Sequence, residues 1–404
     1  MTSTIDAPPG ATGTYPTAVR PDDSRFVGLA AEVGAVAARH AGDHDRDATF
    51  VSEAYEAMRE GGYLAMAVPE DLGGGGATLR QVCYAQAELA RHDGATALAA
   101  AMHQYLTLMQ GFRRRVGAPD AEGVLRRIAA EGIVIATSGG SDWLWPSTVA
   151  EPASDAEDAP LRVTGRKVFC SQSPGATVVA TCAVVGEPGN GAEVVHFSVP
   201  LGADGVRLEE TWDTLGMRGT ASHDVVMEDV IVPRERIIGR RPYGEFGVPL
   251  AAAVVHFGPV VGATYYGIAA GARDRAVESA MAAARGPRAL AELPRVQRQV
   301  GLMDVTLRTA WWGLLGAVDE LGDDYTVGPE AMNTVMVAKR QAVMGAIEVV
   351  DLAMDVIGGR SYFRRAGLER AFRDVRAGTF HPFTPEVTLS YAGKLALGDT
   401  GVSE

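Results

Sequence analysis

Ile133-Val134-Ile135-Ala136-Thr137-Ser138-Gly139-Gly140-Ser141-Asp142 is the stretch at which the chain changes its period. Before it, apolar residues recur every three or four positions. Phe26, Leu29, Ala30, Val33 and Ala37 mark one helix face, and Leu79, Val82, Cys83, Gln86 and Leu89 mark another. After it come short β-branched runs: Leu161 to Phe169, Thr177 to Val185, Glu193 to Val199 and His223 to Val230. Turn residues such as Thr164-Gly165, Pro188-Gly189-Asn190-Gly191 and Ala203-Asp204-Gly205 separate them. Strands at this spacing predict a small antiparallel barrel or sandwich. From about Gly244 to Gly398 the helical period returns, broken at Pro294, Gly328-Pro329 and Gly358-Gly359. The expected class is α+β, in four parts. A mobile tail spans 1–23, an N-terminal helical domain 24–131, a central β domain 132–240 and a C-terminal four-helix bundle 241–404.

Composition narrows the partners. A chain of 404 residues can bury two or three cores, and 47% apolar with 22% charged residues suits a soluble globular protein. A net charge of −13 offers no basic stripe for a phosphate backbone, so nucleic acid is not an expected partner. Cys83, Cys170 and Cys182 are too few and too scattered for a disulfide framework, and no histidine spacing suggests a metal site. A reducing, cytoplasmic compartment is expected. Leu250 to Ala272 carries no formal charge and is long enough for a bilayer, but its glycines, Pro259 and His256 dilute it. A buried bundle helix is expected there, and no membrane partner. The run Gly73-Gly74-Gly75-Gly76 invites a phosphate-loop reading, yet no β-branched strand precedes it and no Gly-Lys-Ser/Thr follows. It reads as a flexible turn between helices.

Four segments carry a family resemblance. They are Val68 to Gly74, Ala136 to Asp142, Leu215 to Thr220 with Glu228 to Pro233, and Ile357-Gly358-Gly359 with Leu368-Glu369-Arg370 and Arg373-Asp374. In order and spacing they resemble the acyl-CoA dehydrogenase superfamily over nearly the whole chain. The resemblance implies a flavin, FAD or FMN. It places Thr137 and Ser141 at the pyrimidine edge of the ring, Ser138 among the cofactor contacts and Ser171 near its N5. Phe169, two residues earlier and so expected on the same strand face, stacks nearby. The plainer alternatives are hydroxyls that satisfy turns and an aromatic that fills the core. The resemblance also brings Arg285, Gly358 and Gly359 to a neighbouring subunit's cofactor, which implies a homotetramer or homodimer. Asp355 stands where the family has Gln, an awkward neighbour for a phosphate.

The family's base is missing. Pro382 takes the usual place of its catalytic Glu, and Phe257 the alternative place. Gly258 and Val255 replace the Arg and Asp that hold coenzyme A. Glu386 and Glu245 remain as displaced candidates. The chain looks nearer the dibenzothiophene monooxygenase-like branch, which takes reduced flavin as co-substrate, adds O₂ at C4a and transfers one oxygen atom. That chemistry needs a dry pocket and placed donors rather than a carboxylate. His381 stands where the branch carries a histidine, and His103 where some members carry a second. With Ser171 they are the expected catalytic residues. The alternatives are a helix-capping turn for His381 and a satisfied core residue for His103. Trp143, Trp145, Phe257, Tyr265 and Tyr266 are expected pocket liners. The expected partners are a small apolar or amine-bearing substrate and a separate flavin reductase. The rival reading is an FAD-dependent dehydrogenase forming an α,β double bond in an acyl-CoA or acyl-carrier-protein thioester. A third is a flavin-binding scaffold without turnover.

Overall fold

Apolar spacing and polar caps make the first third helical. A computed structural model describes residues 18–156, 158–188, 190–285 and 288–402, with the backbone alone for Ser141, Ala284 and Arg285. In α1 (Val27–Asp47), Ala30, Val33 and Ala37 form one buried stripe. Then follow α2 (Ser52–Gly61), α3 (Leu79–His92), α4 (Gly94–Arg115) and α5 (Ala121–Glu131). Thr78 opens α3: its hydroxyl accepts the Gln81 N–H at 3.3 Å, and the Gln81 side chain accepts the Thr78 N–H at 3.0 Å. Asp93 opens α4 by accepting the Thr96 N–H at 2.9 Å.

Two expectations change here. The Gly73–Gly76 run is a turn, but a packed one. The N–H groups of Gly74, Gly75 and Gly76 donate to the carbonyls of Pro69, Ala65 and Val68, and a Cβ on Gly74 would overlap the Val68 carbonyl. The glycines serve close approach rather than flexibility. Of the expected tail, residues 1–17 lie outside the described residues. Its end is anchored: Pro21–Ser24 forms a 3-10 turn, and buried Asp23 pairs with Arg80 at 2.7 Å.

The middle third forms β1 (Ile135–Thr137), β2 (Val149–Pro152), β3 (Leu161–Cys170), β4 (Val178–Val185), β5 (Glu193–Pro200), β6 (Val206–Glu209), β7 (His223–Val232) and β8 (Ile237–Pro242). Their order in the sheet is β6-β7-β3-β2-β4-β5-β8, with β1 also on β4. The β domain stands where the sequence predicts it, but its sheet is mixed rather than wholly antiparallel. β1 and β2 both run parallel to β4, through Ile135 opposite Val178 and Val149 opposite Val184. The chain thus leaves the sheet after Thr137 and rejoins the same edge at Val149, and hydropathy alone is silent about that direction. β2, β6 and β8 fall outside the predicted runs because each is short or interrupted by charge. Val163, Val179, Phe197, Val225 and Met227 give the sheet its own core.

The last third forms α6 (Val248–Ala282), β9 (Ala284–Arg285), β10 (Arg288–Ala289), α7 (Pro294–Leu321), α8 (Pro329–Ile357), α9 (Leu368–Arg376) and α10 (Pro385–Ala396). Proline stands in the first turn of α6, α7, α8 and α10, where its missing N–H costs no helical bond. α6 is apolar all round and packs against α3, α4, α7 and α8. By length and composition it passes for a membrane span, but it is buried inside the protein, as the sequence predicts. The two helical segments share one apolar core that runs from Phe26 to Tyr391.

Small residues let α6 sit that close. A Cβ on Gly267 would overlap the Ala87 carbonyl of α3 and lie 2.7 Å from the Ala90 Cβ. Backbone cannot yield cheaply. Gly267→Ala should therefore destabilise the fold by about 1–3 kcal/mol despite better helix propensity. Gly313→Ala in α7, with nothing within 4 Å of the new Cβ, should gain up to about 1 kcal/mol. Urea midpoints of the two variants at equal protein concentration check both signs.

Candidate functional site

The excursion between β1 and β2 forms one wall of a cavity of about 740 Å³. Tyr105 of α4, Phe169 and Ser171 at the end of β3, and Trp212 line it too. So do Phe257 of α6, and His381 and Phe383 from the segment between α9 and α10. One end carries hydroxyls and the other is aromatic.

The 138–142 turn is held from behind. The Gly139 N–H donates to the Val168 carbonyl at 2.8 Å, and a Cβ on Gly140 would overlap Pro382. Asp142 makes a buried ion pair with Lys167 of β3 at 2.8 Å. Arg241, buried, donates to the Trp143 carbonyl, to the Glu245 carbonyl at 2.9 Å and to His196 Nε2 at 3.2 Å. The Ser138 hydroxyl pairs with Thr181 at 2.9 Å, and Thr137 bonds to the Tyr105 hydroxyl. Thr137 and Ser138 both line the cavity. The expected contact from the Ser141 hydroxyl lies outside the described residues.

Phe169 and Ser171 reach the cavity, though not by strand alternation. The β3–β7 register shifts between Lys167 and Cys170, and Phe169 takes a φ of 56°. This bulge re-aims the ring, which is 55% exposed and edge-on to Trp212 at 5.9 Å between centroids. The Ser171 hydroxyl lies 2.8 Å from that of Ser222, which lies 2.7 Å from that of Thr220. Thr220 in turn donates to the Met217 carbonyl at 2.8 Å.

His381 stands at the aromatic end. Its Nε2 lies 2.7 Å from the Tyr265 hydroxyl, and its ring is 6.2 Å from that of Phe257. Phe257 is edge-on to Tyr105 at 5.4 Å and to Trp143 at 5.9 Å. Loss of water and the nearby Lys339 hold the imidazole neutral, with its pKa pushed down to about 3. The Lys339 ammonium of α8 is buried and donates to three consecutive carbonyls, His381 at 2.8 Å, Pro382 at 3.2 Å and Phe383 at 2.8 Å. Among the described residues no carboxylate pairs with it, and burial lowers its pKa to about 7. Lys339, Trp212 and Ser222 are absent from the sequence reading, and Thr220 enters it only as the end of a family segment, with no role. Only Lys339 left a signal there, as one cation in the apolar stripe Val335, Ala338, Ala342 and Val343.

Other expected residues sit elsewhere. His103 is fully buried, off the cavity, and both ring nitrogens are in use. Nε2–H donates to the Leu64 carbonyl at 2.8 Å, and Nδ1 accepts the Ile135 N–H at 3.1 Å. Its expected catalytic place is corrected to a strut between α4 and β1. Trp145 packs on Tyr243 and does not line the cavity; nor do Tyr265 and Tyr266. Gly358 and Gly359 are likewise off the cavity of their own chain, and the Arg285 side chain lies outside what the structure describes. Glu386 is exposed in the first turn of α10, and Glu245 is also off the cavity. Asp374 is buried and its pKa is raised to about 7, but its carboxylate accepts the Met217 N–H at 2.5 Å behind the wall.

Residues 29–113, 136–230 and 260–386 match the N-terminal, middle and C-terminal domains of acyl-CoA dehydrogenase. The chain is 32% identical over 371 residues to the amino sugar nitrososynthase DnmZ of Streptomyces peucetius, spanning 88% of this chain and 89% of that one. It is 28% identical over 364 residues to the dibenzothiophene monooxygenase of Mycolicibacterium goodii, spanning 84% and 86%. Among solved structures, KijD3 in complex with FMN and dTDP-3-amino-2,3,6-trideoxy-4-keto-3-methyl-D-glucose superposes with a TM-score of 0.83 at 26% identity, over 96% of this chain and 97% of that one. The family resemblance read from the sequence, and its lean toward the monooxygenase branch, agree with these matches.

Burial also sets how the fold responds to acid. His103, His196 and His256 have pKa values lowered to about 4 and His381 to about 3, all chiefly by burial. Below about pH 6.5 the unfolded chain takes up these protons first, so stability falls on acidification. Asp374, raised to about 7, works the other way over the same range, but it is one group against four. From these groups the urea midpoint should be level well above pH 7 and drop from about pH 6.5 toward pH 4. A midpoint that rises on acidification contradicts the buried, neutral histidines.

Proposed function

The chain belongs to the acyl-CoA dehydrogenase family, and on that premise we propose a flavin-dependent oxidoreductase that works as a reduced-flavin, O₂-using monooxygenase on a small uncharged substrate. One observation carries the reading: among the described residues, no Asp or Glu lines the cavity. Thioester desaturation needs a carboxylate within hydrogen-bond reach of an acidic C–H. Pro382 and Phe257 face the cavity instead, and Glu386, Glu245 and Asp374 do not.

The walls suit a flavin. Its faces are apolar and its edges polar, and the cavity joins aromatic walls to one hydroxyl-bearing end. Gly139 keeps the wall beside Phe169 thin, since a Cβ there would lie 2.9 Å from the Phe169 Cβ. In this reading Thr137, Ser138, Phe169 and Ser171 hold the ring, with Ser141 in the same turn. Arg285, Gly358 and Gly359 serve a neighbouring subunit's cofactor in a homotetramer or homodimer. Reduced FMN or FAD, delivered by a separate reductase, supplies the electrons with which O₂ gives one oxygen atom to substrate and one to water.

The chain's own residues do the rest. With the Tyr265 hydroxyl donating to Nε2, the ring proton of His381 sits on Nδ1, and the imidazole offers a hydrogen bond without a charge. The aromatic set around Phe257 keeps water from that group. A cavity without a carboxylate favours an amine substrate in its unprotonated form, with the lone pair free for oxidation. Sulfur and nitrogen compounds, after the names of the relatives, are both within the reading. A dehydrogenase acting on an acyl thioester is the second reading, favoured by all three matched domains being those of acyl-CoA dehydrogenase.

Two measurements separate these. Flavin-loaded protein mixed with an acyl-CoA without oxygen should stay yellow; rapid bleaching would install the second reading. In a reductase-coupled assay, His381→Ala should keep its fold and its Lys339 contacts, which are to backbone, yet lose roughly tenfold in product per O₂ with a matching rise in H₂O₂. An unchanged coupling ratio removes His381 from the chemistry.

A further inference from the structure

Three hydroxyls stand in line at one end of the cavity, Ser171 and Ser222 on its lining and Thr220 behind them, and their protons can be counted. A hydroxyl has one proton to give and two lone pairs. Thr220 donates its proton to the Met217 carbonyl at 2.8 Å. Ser222, 2.7 Å from the Thr220 oxygen, is therefore the donor in that pair. Ser171, 2.8 Å from the Ser222 oxygen, is by the same count the donor in the next. The direction of the whole chain is fixed by the carbonyl at its far end. Ser171 faces the cavity with lone pairs alone. It accepts there and does not donate.

We propose that this chain of hydroxyls makes Ser171 a sensor of flavin redox state that favours the reduced over the oxidised ring. The inference rests on the flavin reading above and adds a direction to it. A flavin carries a proton on N3 in both states but on N5 only after reduction. An acceptor at N5 gains a hydrogen bond with the reduced ring. With the oxidised ring it sets lone pair against lone pair, away from bulk water, where an unmet polar contact is costly. Thr214, also on the cavity wall, spends its proton on the Gly216 carbonyl at 2.9 Å, so it brings no competing donor to this end. Such a site sheds oxidised flavin and takes up reduced flavin, as an exchangeable co-substrate requires.

Thr220→Val is the decisive variant. It keeps the shape and removes the terminal donor, while the Met217 carbonyl keeps the Trp212 indole N–H at 3.0 Å. Ser222 then turns its proton to Ser171, and Ser171 is free to donate into the cavity. Affinities for oxidised FMN and for dithionite-reduced FMN would be measured without oxygen or substrate. Wild type should favour the reduced form by about five- to tenfold or more, the worth of one hydrogen bond. Thr220→Val should erase most of that ratio, and Ser222→Ala, which cuts the middle link, should do the same. Ser171→Ala should weaken the reduced form about fivefold and leave the oxidised form unchanged or tighter. Equal losses for both forms in Ser171→Ala would place its oxygen against N3–H and overturn the proposal. An unchanged ratio in both folded relay variants would also overturn it. No turnover enters these measurements, so bleaching by a thioester would refute the monooxygenase reading and leave the ratio to be judged alone.

Discussion

A buried ammonium that no carboxylate among the described residues pairs with decides the shape of this site. Lys339 leaves water at a cost of several kcal/mol and recovers it only through three charge-assisted bonds to consecutive carbonyls of the His381–Phe383 segment. With those carbonyls turned toward α8, His381, Pro382 and Phe383 are held where all three line the cavity. The same charge helps keep His381 neutral. Truncating Lys339 would free three carbonyls at once, so the local sequence tolerates little else there. The contact is to backbone, which leaves side chains free to vary around a fixed path.

The opposite wall follows a similar economy. The 138–142 turn is pinned by the Asp142–Lys167 pair and by Arg241 on neighbouring carbonyls, all behind the surface a ligand would meet. Around this turn the charge sits behind the surface, which is aromatic rings, hydroxyls and glycine backbone. The two arginines on the lining, Arg373 and Arg376, both come from α9 and already pair with Asp45 and Asp351. A cavity built this way is apolar without being loose, because its charged anchors have ion-pair or carbonyl partners within the protein; among the described atoms Arg376 Nη1 is buried with no hydrogen-bond partner.

Much of the fold was legible because its signals are local. Apolar periods and the breaks at Pro294 and Gly328-Pro329 need only neighbours in sequence. The glycine run at 73–76 was legible as a turn but not as a packed one, since the atoms it avoids come from Ala65 to Val68 folded back on it. Sheet direction was not legible: nothing in Val149-Ala150-Glu151-Pro152 says that it shares an edge of β4 with β1. In the site, Thr137, Ser138, Phe169, Ser171 and His381 do reach one cavity, although they are far apart in the chain. Phe169 arrives by a bulge, which alternation cannot foresee. His103 shows the converse limit. A histidine on an apolar helix looks the same in sequence whether it serves a substrate or, as here, a carbonyl and an N–H on two different elements.

The glycine contacts of α6 reach beyond stability. Phe257 rides on a helix whose backbone touches α3 at Gly267 and Gly271 and nears α8 and α7 side chains at Gly258 and Gly262. That helix has no room to slide. Whatever enters the cavity must be accommodated by the segments facing α6, the 138–144 turn and the chain between α9 and α10. Substrate range in such a protein is a property of its connecting segments, while the long helix acts as a fixed ruler against which they are measured.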